Sequence, residues 1–205
     1  MEKILTIPLI LNQIVKFMDK ENIKSLSLCN KKIYKLYCKQ INQLKIGKDT
    51  EITKLIKLLN KYENVNNLDL NECYKIKDFI LISKLERLEI LNVGGTNISD
   101  ISFLEKNKNI KELILSYCKN IKDFISISKL ERLEILNVDD TNISDISFLE
   151  KNQNIKELIL SSCKNINDFT PISKLERLEI LDVCYTNIFD ISFLEKNKNI
   201  KIIKN

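Results

Sequence analysis

The sequence predicts a solenoid of the α/β class, with short parallel strands along one face and a return path along the other. Three observations lead there. Leu85–Lys129 and Leu130–Lys174 are two copies of one 45-residue unit, identical at 38 positions, and a third copy begins at Leu175. Each unit divides into two related halves marked by apolar pairs: Leu68/Leu70, Leu91/Val93, Leu113/Leu115, Leu136/Val138, Leu158/Leu160 and Leu181/Val183. These pairs recur in alternating steps of 23 and 22 residues. A self-similar period of this length marks units that bury their apolar edge only by stacking on a neighbour.

Within each half the order is fixed. Leu88-x-x-Leu91-x-Val93-x-x-Thr96 and Ile110-x-x-Leu113-x-Leu115-x-x-Cys118 are two examples. Period-two alternation turns both anchors of a pair to the same side of a short strand, and the residue between them to the opposite side. The Thr or Cys that follows reaches backbone groups and ties one coil to the next. A segment such as Ile98-x-Asp100-Ile101-x-Phe103-Leu104 then brings the chain back along the convex side. This arrangement resembles the leucine-rich repeat. It implies about six clear repeats in a solenoid over residues 41–205.

The ends of the solenoid are irregular. Ile41-x-x-Leu44-x-Ile46 reads as a degenerate first strand, 24 residues before Leu68. Between them, Thr50–Tyr62 places Ile52, Leu55, Ile56, Leu58 and Leu59 at helical spacing,. Residues 41–64 therefore read as a capping coil. Ile203 is expected to begin one more anchor in a truncated last repeat.

Composition narrows the function. Hydrophobic residues make up 44% of the 205, and Gly (3) and Pro (2) are too scarce for long linkers,. The +5 formal charge comes from 33 basic and 28 acidic residues that sit side by side, as in Glu150-Lys151. That mixing reads as a solvated face and not as a nucleic-acid stripe. The apolar run Ile7–Leu11 is too short to span a membrane, and no secretory leader pattern is evident at the start,. Cys73, Cys118 and Cys163 recur every 45 residues, too far apart to pair as neighbours. Free thiols and an intracellular location, cytoplasmic or nuclear, are expected. No disulfide, metal or cofactor is expected.

Catalysis is not expected either. The chain has no His, which removes the commonest general base,. Asp139-Asp140 occupy the place of Gly94-Gly95 in one copy and Cys184-Tyr185 in another, without supporting groups nearby in the pattern. Asp100, Asp145 and Asp190 recur with the coil and read as turn or capping residues. Cys184 falls on the concave face.

Residues 1–40 depart from the repeat and read as a three-helix unit. Pro8 opens a first helix at its N-terminus, and Leu11, Ile14, Val15 and Met18 give it an apolar face,. Ile23, Leu26 and Leu28 begin a second helix, and Ile33, Tyr34 and Tyr37 a third. The stretch resembles an F-box. Ile7-Pro8 stand at its Leu-Pro, Leu11 and Ile14 at its apolar helix positions, and Phe17-Met18-Asp19 before its turn. Ile23, Leu26-Ser27-Leu28-Cys29 and Asn30-Lys31 follow in step, without a gap. Ile10, Asn12 and Ile33 stand where the family usually has Glu, Leu and Trp. The resemblance implies that Ile7, Pro8, Leu11, Ile14, Ile23, Leu26 and Leu28 dock a Skp1-like adaptor of a cullin ubiquitin ligase. The repeats would then hold the ligase's target protein. A non-ligase scaffold or decoy, with residues 1–40 serving as a helical cap, is the alternative.

The face that would hold a target follows from the strands. It would carry exposed rows of Ile90, Ile114, Ile135, Ile159 and Ile180, with Glu112 and Glu157. Near-identical copies differ where Gly94, Gly95 and Tyr117 become Asp139, Asp140 and Ser162, just after the strands. Tyr185 occupies the same place in the last copy. The convex apolar residues are expected not to vary between copies.

Overall fold

The computed structural model describes Cys38, residues 41–194 and residues 200–204. The F-box-like positions Ile7, Pro8, Leu11, Ile14, Ile23, Leu26 and Leu28 lie outside the described residues.

The described chain is one right-through stack of coils around a single parallel sheet. Its strands are β1 (Gln43–Lys45), β2 (Asn67–Asp69), β3 (Ile90–Asn92) and β4 (Glu112–Ile114). β5 (Ile135–Asn137), β6 (Glu157–Ile159), β7 (Ile180–Asp182) and β8 (Lys201–Ile203) complete it. The eight strands lie in sequence order, each paired in parallel with the next. The middle residues Leu68, Leu91, Leu113, Leu136, Leu158 and Leu181 align across the sheet and are fully buried. Each contributes about 1.5–3 kcal/mol by burial. No coil could bury its row alone, because each Leu lies in register with the Leu of the adjacent coil,.

Two expectations need correction, and the convex return takes a form that the sequence left open. It consists of short 3-10 segments, such as Ser102–Lys106 and Ile125–Lys129, because the apolar residues Ile101, Phe103 and Leu104 are spaced for a tight turn and not for a helix face,. The last anchor is Ile202, not Ile203: Leu181 aligns with Ile202, and Ile203 falls on the concave row with Asp182. The final step is one residue shorter than the 22-residue half, and strand pairing absorbs the difference. Convex apolar residues do vary: Ile125 is 54% exposed, and Thr170 takes its place in the next copy. The buried convex residues, such as Phe103 and Phe148, are retained.

The helix α1 (Ile52–Lys61) forms the return of the first coil, between β1 and β2. It buries Leu55 and Leu59 and packs Ile52 and Leu58 against the core, while Ile56 stays exposed. Its amphipathic pattern buries one face on the core and leaves the other to solvent.

Polar side chains stitch the stack together. After each strand comes a column of Cys73, Thr96, Cys118, Thr141, Cys163 and Thr186. Cys118 Sγ donates to the Val93 carbonyl of the preceding coil at 3.1 Å, and Cys163 does the same to Val138 at 3.1 Å. Thr96 and Thr141 bond to Val93 and Val138 within their own turns. The recurrent cysteines are therefore packing thiols, and burial pushes the Cys118 and Cys163 thiols up from their ordinary range.

The recurrent aspartates cap turns. Asp78, Asp100, Asp123, Asp145, Asp168 and Asp190 each accept the backbone N–H two residues on, at 2.8–2.9 Å. Those hydrogen bonds hold Asp100, Asp145 and Asp190 below the usual carboxylate range. Inside the stack, fully buried Asn107 and Asn152 reach back one coil. Asn107 Nδ2 donates to the Ile82 and Leu85 carbonyls, and Asn152 Nδ2 to those of Ile127 and Leu130.

Candidate functional site: the concave sheet

Strand alternation sends two side chains per coil to the concave side. The first row runs Asn67, Ile90, Glu112, Ile135, Glu157, Ile180, Lys201 in register. The second runs Asp69, Asn92, Ile114, Asn137, Ile159, Asp182, Ile203. The face is thus a chequerboard. The two halves of the 45-residue unit carry different residues at each position, so stacking them alternately sets Ile beside Glu in one row and Asn or Asp beside Ile in the other.

This changes the reading of the apolar rows. Ile90, Ile114, Ile135, Ile159 and Ile180 are half-buried, not exposed, because neighbours on the adjacent strands shade them. They form a zigzag along the solenoid, switching rows at each coil. Same-row isoleucines recur two coils apart, about 10 Å, from the spacing of paired strands.

The polar squares divide by role. Asn92, Asn137 and Asp182 accept the backbone N–H of Gly94, Asp139 and Cys184 at 2.9 Å, closing a local turn. Glu112 and Glu157 form no ion pair among the described residues. One position earlier in the chain, Lys111 pairs with Glu89 at 3.0 Å and Lys156 with Glu134 at 2.6 Å, each across one coil. The sequence reading missed these lysines. Their alternation with Glu at the residue before each strand was the available signal. The Lys156 ammonium holds the Glu134 carboxyl below its usual range.

The lip beyond the strands is conformationally distinctive. Glu72, Gly95, Tyr117, Asp140, Ser162 and Tyr185 all have φ between 49° and 62°. Only Gly95 enters that left-handed region without a steric cost, which is roughly 1–2 kcal/mol for other residues. The conformation recurs because it aims each of these N–H groups, Tyr185 apart, at a carbonyl of the next coil, as from Tyr117 to Asp139 at 2.8 Å. The side chains consequently project from the lip: Tyr117 is 58% and Tyr185 66% exposed.

Tyr117, Asp139 and Asp140, named separately from the sequence, come together. The Tyr117 backbone N–H donates to the Asp139 carbonyl at 2.8 Å, while Asp140 pairs with Lys119 at 2.8 Å. Burial pushes the Asp139 carboxyl up, and the Asp140 and Asp182 carboxylates add to this. Cys184 sits on the same lip, half-exposed, its thiol also pushed up by desolvation and by Asp182.

A parallel sheet stacked one short strand per coil, with a side-chain-bearing concave face, is the leucine-rich-repeat fold. The chain is similar to an internalin (inlF) from Listeria monocytogenes, at 27% identity and TM-score 0.70, over 94% of this chain and 57% of that one. It therefore spans little more than half the length of that protein. It is also similar to an internalin C2 (inlC2) of the same bacterium, at 20% identity and TM-score 0.64, over 95% and 96% of the two chains. A third similar structure is the LRR ectodomain of the Arabidopsis receptor kinase HAESA in complex with a peptide hormone ligand. There the identity is 19% and the TM-score 0.59, over 73% of this chain and 27% of that one. No protein-family model matches the sequence, and neither does any curated protein.

Proposed function

We propose that this chain is a protein-binding adaptor that holds a partner against its concave sheet. The observation that carries the reading is the Ile zigzag, a run of half-buried apolar side chains continuing from coil to coil on the open side of the sheet. Apolar groups arranged in a contiguous surface mark interaction sites. The peptide held by the HAESA ectodomain is a precedent for the fold as a binder of polypeptide.

The finer reading rests on the sequence resemblance at residues 5–39. In it the chain is a substrate receptor of an SCF-type ubiquitin ligase. Ile7, Pro8, Leu11, Ile14, Ile23, Leu26 and Leu28 dock a Skp1-like adaptor and hence the cullin, and the concave face presents the target. The chain would work in the cytoplasm or nucleus, and it performs no catalytic step itself. The test is co-purification of the full chain with Skp1 and cullin, beside a Pro8→Ala/Leu11→Ala/Leu26→Ala variant. Capture of both by wild type alone supports the ligase role. Equal capture, or none, leaves a non-ligase scaffold.

The concave reading has its own test, built from the repeat's own vocabulary. Ile114→Asn and Ile159→Asn reproduce Asn92 and Asn137 on the same row, so the coil tolerates them. Partner binding should fall in that double variant and persist in Ile125→Thr, which copies Thr170 on the convex side.

A further inference from the structure

The concave face differs in charge from the molecule that carries it. The whole chain is +5. On the concave side and lip of β3–β7, by contrast, Lys111, Lys119 and Lys156 are each already engaged by a carboxylate. Five carboxylates there, Glu112, Glu157, Glu179, Asp139 and Asp182, form no ion pair among the described residues. Burial raises the Asp139 carboxyl, and the neighbouring Asp140 and Asp182 carboxylates add to it.

The pattern is also periodic. Glu112 and Glu157 recur two coils apart, about 10 Å, with Ile135 between them on the row,. A polypeptide lying along the solenoid would meet acid and branched aliphatic side chains alternately. We propose that the partner held by this face is a basic peptide segment, rich in Lys or Arg interleaved with aliphatic residues. Its cations would neutralise the unpaired carboxylates while its aliphatic side chains cover the Ile zigzag. This rests on the concave face being the binding face. Long-range attraction does not explain it, since a chain of net charge +5 repels a basic peptide beyond the screening distance of roughly 8 Å at physiological salt. Recognition must come from the local field of the face.

Three series of fluorescent 15-residue peptides test this on the full chain. All share the same Ile positions, and the variable positions hold Lys, Ser or Glu. Fluorescence anisotropy should rank them Lys, then Ser, then Glu, with the Lys series at least tenfold tighter than the Ser series. That advantage should shrink in high salt. A Glu112→Gln/Glu157→Gln/Asp182→Asn variant should weaken the Lys series about tenfold, since rim charges contribute modestly each. Asp182→Asn copies Asn92 and Asn137, so the fold is spared. Equal affinity across the series, an unchanged Lys series in the triple variant, or no binding by any peptide overturns the basic-partner proposal. The Ile114→Asn/Ile159→Asn variant separates the two readings. If it loses the Ser and Lys series alike while the charge series do not differ, the concave reading stands and the basic partner fails. If it keeps full affinity for Lys peptides, the concave reading itself fails.

Discussion

Replacing Asn152 by Asp changes one atom of a fully buried side chain and should destabilise the solenoid severely. Asn152 Nδ2 donates to the Ile127 and Leu130 carbonyls, both at 3.0 Å, across one coil boundary. Its Oδ1 has no hydrogen-bond partner among the described residues. In Asn152→Asp an acceptor replaces the donor, and an ionised carboxylate faces two carbonyl oxygens with nothing to neutralise it. Two lost hydrogen bonds cost about 2 kcal/mol together. An uncompensated buried charge adds about 3–5 kcal/mol. A protonated Asp avoids the charge and still donates to one of the carbonyls, so its cost is about 1–2 kcal/mol.

The penalty therefore depends on pH, with a definite sign. The folded-state pKa of this Asp lies above its unfolded value of about 3.9. Below that value both states are protonated and the penalty is at its smallest. As pH rises, the unfolded chain releases its proton first, and stability falls by up to about 1.4 kcal/mol per pH unit until the folded carboxyl ionises. Urea unfolding of wild type, Asn152→Asp and Asn152→Ala at pH 4.0, 5.5 and 7.0 measures this. The Ala variant should cost about 2 kcal/mol at every pH, through its lost hydrogen bonds. A gap between Asn152→Asp and wild type that stays under about 1 kcal/mol at pH 7, or does not widen with pH, refutes the argument that Asn152 clamps adjacent coils.

Other outcomes follow from the same geometry. Gly95→Ala should lower stability by about 1 kcal/mol, because φ there is 62° and Ala adopts that conformation reluctantly,; thermal unfolding reads this directly. Among the five described cysteines, Cys184 alone should be alkylated in the native state, since Cys38, Cys73, Cys118 and Cys163 are buried. Mass spectrometry after a timed pulse of iodoacetamide assigns the label. Asp182→Asn should speed the reaction by removing the carboxylate that holds the Cys184 thiol up. The capping aspartates Asp100, Asp145 and Asp190 have lowered pKa values, so their support is present above the ordinary carboxylate range and lost as pH falls through their folded values. Replacing all three by Ala should flatten the acid limb of the urea midpoint against pH.

The stacking was legible because it depends on apolar positions, and those repeat nearly without error. Leu91, Leu113 and Leu136 could be placed on one buried row by counting alone. So could the helix α1, since Leu55 and Leu59 recur at a helical interval. The 3-10 returns were not legible: Phe103 and Leu104 bury neighbouring residues without marking how tightly the chain turns. The last anchor was misplaced by one residue because a 21-residue step obeys hydrogen-bond register and not the average period. The chequerboard was available in principle. The alternating steps already set Ile90 beside Glu112, but reading each strand alone hides what its neighbours present. The left-handed lip had a single sequence sign, Gly95, because Tyr117, Asp140 and Ser162 adopt the same conformation without Gly.

The two-coil alternation sets the increment in which such a molecule can lengthen or shorten. Excising residues 85–129 would join Lys84 to Leu130, and the seam left behind would match the native β2–β3 seam except that Asp139-Asp140 would meet Asn71-Glu72 in place of Gly94-Gly95. Excising a single coil would instead set Thr96 against Thr141 and Ile90 against Ile135, and it would leave the Val93 carbonyl without the Cys118 thiol that bonds it. Gene duplication or deletion in steps of 45 residues therefore keeps the strand and column pairing, while a step of 22 or 23 does not. Each added unit lengthens the concave face by about 10 Å and adds two further isoleucines. Reach along a partner can thus change between descendants of this chain without the strand pairing between coils ever having to be rebuilt.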